Sequence, residues 1–109
     1  MPYNLDLEKK IDRFTGLNWQ FEKKKMFGGV GYLLNGNMAF GIHKQSLIIR
    51  TTPGRAADLI KTGAADVFDI TGRPMKGWLL FSPDNLKSET QLTDLLDLGL
   101  DFVKSLPPK

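Results

Sequence analysis

Apolar residues recur along this chain first at helical spacing, then in alternation, and at its far end at helical spacing again. Leu7, Ile11 and Phe14 fall at i, i+4 and i+7. They predict a short amphipathic helix, N-capped by Asn4 or Asp6 and ended by Gly16. Trp19 and Phe21 alternate with Gln20 and Glu22 in a short strand, and residues 30–34, 38–42 and 47–51 read as three more. The connections are Asn35-Gly36 and the polar run His43-Lys44-Gln45-Ser46. A helix over 53–62 places Pro53 in its first turn and stops at Gly63. Residues 67–70 and 75–81 form a second hairpin across Thr71-Gly72-Arg73-Pro74. Ser88 and Gln91 have capping-box spacing ahead of a long helix. Its buried face is Leu92, Leu95, Leu96, Gly99, Val103 and Leu106, and Pro107 and Pro108 end it. The pattern predicts an α+β fold, an antiparallel sheet with elements in the order α-β(3)-α-β(2)-α and a short extra strand before the first three.

The glycines and lysines between residues 23 and 42 have the composition of a phosphate-binding loop, but not its order. Gly31 and Gly36 have GxxxxG spacing, yet Asn37 and Met38 follow where a P-loop needs Lys and then Ser or Thr, and a strand follows where it needs a helix. Gly28-Gly29-Val30-Gly31 also lacks the GxGxxG order. Asn35-Gly36 between apolar runs is a hairpin signal, because a type I′ turn requires positive φ at both central residues. Pairing outward from that turn sets Gly31 opposite Phe40 and Gly41 opposite Val30, each glycine under a larger side chain.

The chain has 109 residues, 41% of them apolar and 25% charged, and no cysteine. It is expected to form a single domain over 1–109 with neither disulfides nor a thiolate site. The first residues have no signal-peptide pattern and no window reaches membrane-spanning length, so a cytoplasmic location is expected. Charge is uneven: residues 19–50 hold Lys23, Lys24, Lys25, Lys44 and Arg50 against Glu22, whereas residues 84–101 hold five acids against Lys87. His43, the single histidine, falls in a predicted turn with no nucleophile spaced for it. Asp94, Asp97 and Asp101 share a helix face opposite the apolar stripe and read as solvated; Asp66 and Asp69 have no partners to complete a site. No catalytic residue, metal site or cofactor is expected.

Four segments carry a family resemblance. They are Glu22 to Gly29 (EKKKMFGG), Asn35 to Met38 (NGNM), Thr71 to Trp78 (TGRPMKGW) and the closing run from Leu98 to Lys109. In this order, along essentially the whole chain, they resemble the N-terminal domain of the TfoX/Sxy family. The resemblance implies helix, three strands, helix, two strands, helix, with a sheet like that of secretion chaperones. It also implies a regulatory rather than enzymatic role: the family is named for regulators of natural competence thought to act with a cyclic-AMP receptor protein. Those longer relatives carry a second helical domain, so this sequence is expected to be a stand-alone, one-domain form. Ala39-Phe40 stand where close relatives often carry cysteines, so thiol chemistry does not transfer.

The expected function is therefore a non-enzymatic regulatory or adaptor domain working through protein contacts, with transcription machinery as one class of partner. The alternative is a nucleic-acid-binding module. Its anion-binding residues would be Lys24, Lys25, Arg73 and Lys76, with Arg50 nearby and Trp78 and Tyr32 available for stacking. Counting faces from Asn35-Gly36 places Leu33, Met38, Phe40, Ile42, Leu47 and Ile49 in the core. Val30, Tyr32, Leu34, Ile48 and Arg50 then lie, with Ala39, on an outer face too apolar to be left in water, which is the expected homodimer interface. Two other arrangements compete: a helix of the same chain over that face, or a turn at Lys44-Gln45 longer than two residues.

Overall fold

The computed structural model describes residues 4–16, 21–26, 29–68, 76–86 and 88–107. The expected positions of Trp19, Gly28 and the 71–74 turn with Arg73 lie outside these. The first helix, α1 (Leu5–Gly16), precedes four strands, β1 (Phe21–Met26), β2 (Gly29–Leu34), β3 (Asn37–His43) and β4 (Ser46–Arg50). Then come α2 (Pro53–Lys61), β5 (Asp66–Val67), β6 (Trp78–Phe81), a 3-10 turn at Pro83–Asn85 and α3 (Glu89–Lys104). The fold is α+β. All pairings are antiparallel, in the order β1-β2-β3-β4-β6-β5.

Local chemistry explains most element ends. Asn4 caps α1, its Oδ1 accepting from the Leu7 N–H at 3.1 Å. The same residue donates its N–H to the Lys44 carbonyl at 2.8 Å and its Nδ2 to the Gln45 carbonyl at 3.2 Å, so the start of the helix also holds the β3–β4 turn. Thr52 caps α2 ahead of Pro53, and Gly63 follows its end at φ 84°. Ser88 Oγ accepts from the Gln91 N–H at 3.0 Å, and Gln91 Nε2 donates to the Asn85 carbonyl at 2.6 Å.

Asn35 and Gly36 take φ of 54° and 84°, the paired positive values of a type I′ turn. We expect Gly36→Val to cost about 1–2 kcal/mol, the penalty of a side chain in left-handed backbone. Chemical denaturation checks this. A midpoint equal to that of the parent would mean that this turn does not set the hairpin.

Two residue pairs beyond the turn, the pairing changes register. Leu33 pairs with Met38 but Tyr32 pairs with Phe40, so Ala39 is an extra residue in β3, a β-bulge. Gly31 therefore faces Gly41, not Phe40, and Val30 faces Ile42, not Gly41. Because side chains alternate, the bulge rotates Phe40 and Ile42 onto the face of Val30, Tyr32 and Leu34. Leu47 and Ile49 of β4 and Leu79 and Phe81 of β6 continue that face. Leu7 and Ile11 of α1, Ala56 of α2 and Leu92, Leu96, Leu100 and Val103 of α3 join it in one buried core. Leu33 and Met38 lie on the opposite face with Ile48, a correction to the core expected from simple alternation.

Candidate functional site

The residues expected to form an open interface are mostly interior. Tyr32 is fully buried beneath α1, its hydroxyl donating to Asp12 Oδ1 at 2.7 Å. Val30 and Leu34 are buried in the same core. Ile48 is on the other face but is also buried. There Phe68 lies between His43 and Trp78, with ring centroids 6.4 and 6.0 Å away. Of the five, only Arg50 keeps substantial exposure. The physical reason is the bulge together with the helices: the bulge puts Val30 and Tyr32 on the face of Phe40 and Ile42, and α1 and α3 cover that face. His43 is likewise half-buried at the end of β3 against Phe68, not in a loop.

The three lysines occupy a strand, not a loop. β1 ends the row of described strands, and Lys24 and Lys25 are exposed, pointing to opposite sides because they are adjacent. Charged edges of this kind discourage pairing with other chains. Lys23 differs, since its Nζ lies 2.8 Å from Glu8 Oε2 and 3.1 Å from Asp12 Oδ1. Burial acts to lower the Lys23 pKa, but the hydrogen bonds to Glu8 and Asp12 and their charges outweigh it, so the value is raised. A raised folded-state pKa contributes stability that is complete below the unfolded value and is lost as pH climbs through the folded one. The stability difference between the parent and Lys23→Met should thus be flat through mildly alkaline pH and shrink only beyond the ordinary lysine pKa. A difference that rises with alkalinity would contradict the pairing.

Lys76 sits beside β6, separated from β1 by three intervening strands. The expected patch of Lys24, Lys25 and Lys76 is not brought together, and Arg73 lies outside the described residues. A different group is assembled at that far end. Arg50, the last residue of β4, pairs in register with Trp78, the first of β6. Its guanidinium carbon is 5.2 Å from the Trp78 ring centroid and 5.2 Å from that of Phe102 in the last turn of α3. Trp78 also lines a cleft of about 440 Å³ with Pro53, Ala56 and Ile60 of α2, Val67 of β5 and Lys76. The cleft is within the size range of ligand sites and largely apolar, and Lys76 supplies a cation to it.

Asp94, Asp97 and Asp101 are exposed along α3. Among the described residues no group of three or more His, Cys, Asp or Glu is arranged to hold a metal ion. No helix among them is long and apolar enough to cross a membrane. Gly31 lies within β2 and Gly36 in the turn that leads into β3, so neither precedes a helix N-terminus that could hold a phosphate.

A family model described as the TfoX N-terminal domain matches residues 14–103. The chain belongs to the TfoX N-terminal domain family. The match covers most of the 109 residues, from the end of α1 to the last turn of α3, and so includes the whole sheet together with Arg50, Trp78 and Phe102. Membership suggests a regulatory, competence-related domain. Neither the curated proteins nor the solved structures returned a match. Sequence reasoning missed the Arg50–Trp78–Phe102 group. Its one local signal was an arginine closing an apolar strand, and the two aromatic partners come from 28 and 52 residues further along the sequence.

Proposed function

We propose that this domain is a non-enzymatic regulatory or adaptor module that acts through contacts with another protein, as expected for a relative of competence and transcription regulators. The observation that carries this reading is the family match along residues 14–103. The arrangement of charge supports it over the nucleic-acid alternative. Single-stranded nucleic acid needs a continuous cationic track with aromatic platforms, whereas Lys24 and Lys25 stand at one edge of the sheet and Lys76 and Arg50 near the other. Tyr32, one of the two platforms expected, is in the core. Self-association, if the domain uses it, has to engage a surface other than the Val30–Tyr32–Leu34 face.

The test is a pull-down of the tagged chain from its native cell, with and without nuclease. Recovery of a specific protein that survives nuclease is the expected result. Recovery that depends on nucleic acid would favour the alternative.

A further inference from the structure

Arg50 is half-buried against two rings, and among the described residues its side chain has no ion pair and no hydrogen bond. Among the described residues no buried side-chain nitrogen or oxygen is left without a partner, so the guanidinium nitrogens remain in reach of solvent. A guanidinium engages aromatic rings through its flat faces and donates hydrogen bonds along its edge. With Trp78 from the sheet and Phe102 from α3 taking the faces, the edge is what Arg50 offers. We propose that Arg50 is a recognition site for a carboxylate of a protein partner, an aspartate or glutamate in a segment whose apolar neighbour enters the α2–β6 cleft.

Three features select this occupant. The first is entropy: an arginine on a free surface loses rotamer freedom when it pairs, and the rings have already removed much of that freedom from Arg50. The second is shape. A planar carboxylate continues the plane of the guanidinium and pairs with it bidentately, whereas the out-of-plane oxygens of a tetrahedral phosphate would be directed toward the negative ring faces. The third is that a nucleobase would need those ring faces for stacking, and Arg50 covers a face of each. The cleft beside Trp78 adds an apolar pocket, so the pair reads an acidic residue next to a hydrophobic one. A purely internal role, tying the end of β4 to the end of α3, would account for the rings but makes no use of the solvent-facing edge or of the cleft beside Trp78.

The inference rests on the reading that the domain works through protein contacts, and it is tested on the full chain without any partner. Arginine Nε–Hε resonances are followed by NMR at constant ionic strength. The probes are a blocked Glu-Glu-Leu-Glu peptide, its glutamine counterpart, inorganic phosphate and oligothymidylate. The glutamate peptide should shift the Arg50 resonance saturably and bind about tenfold more tightly than each of the other probes. Phe102→Leu, which removes one wall but no charge, should weaken it several-fold while the remaining arginine resonances stay in place. Equal binding of the glutamine peptide, or tighter binding of phosphate or oligothymidylate, overturns the proposal. Because the readout is Arg50 in the parent chain, a variant that fails to fold does not decide the matter. A protein recovered equally well by Arg50→Gln, shown to be folded, would overturn this assignment and leave the protein-contact reading standing.

Discussion

Replacing Tyr32 by alanine should cost about 3–5 kcal/mol of folding stability, the range for truncating a large aromatic in a core. Tyr32 is fully buried, its ring is 5.6 Å from that of Phe40, and its hydroxyl donates to Asp12 Oδ1 at 2.7 Å. Lys23 Nζ lies 5.4 Å from the same ring centroid, so the truncation also loosens the Lys23 contacts with Glu8 and Asp12. Small domains have about 5–15 kcal/mol in total, so this one change should leave the chain close to unfolding at physiological temperature. Tyr32→Phe separates the contributions: it keeps the ring and removes the hydrogen bond to Asp12, and should cost about 1 kcal/mol. Urea unfolding of both variants is the measurement. A Tyr32→Ala chain of parental stability would place the ring at the surface and contradict the packing of α1.

A second large effect is expected at Gly99, where helix propensity and packing have opposite signs. Valine is a better helix former than glycine, so a solvent-facing site would gain a few tenths of a kcal/mol. At this position α3 presses on the sheet. A Cβ on residue 99 would stand 2.5 Å from the Ala39 carbonyl oxygen and 3.3 Å from Phe40 Cδ2. The carbonyl is backbone and cannot rotate away, so α3 has to lift from β3. We expect Gly99→Val to lose about 3 kcal/mol, the upper part of the range for an overpacked core. Gly99→Ala should still be destabilising despite its higher helix propensity. A more stable alanine variant would mean that α3 does not lie this close to the bulge.

Those two sites mark the boundary between local and tertiary information in this protein. Helix ends were legible because each depends on a few neighbouring residues: Asn4 and Ser88 as caps, Pro53 in a first turn, Gly63 after a last one. The Asn35-Gly36 turn was legible for the same reason, since it needs only two residues that tolerate positive φ. These features determined the α+β class and the order of elements, and the four family segments determined the family. The extra strand was legible at Phe21 but not through Lys23-Lys24-Lys25, because it is pairing with β2, not intrinsic preference, that keeps three lysines extended.

What alternation could not supply was the bulge at Ala39. Nothing about an alanine announces an unpaired residue; it is the packing of Gly99 against that carbonyl and the demand of α1 for Tyr32 that favour the shifted register. One extra residue shifts β3 against β2, so that Val30 and Tyr32 share the face of Phe40 and Ile42, which turned an expected interface into the core. The Arg50 group depends on a further decision of the same kind. Insertion of β6 between β4 and β5 sets Trp78 beside Arg50, and the docking of α3 across the sheet brings Phe102 to it. Strand order and helix docking minimise exposed apolar area over the whole molecule, so they are properties of the assembled chain that no short stretch of it contains.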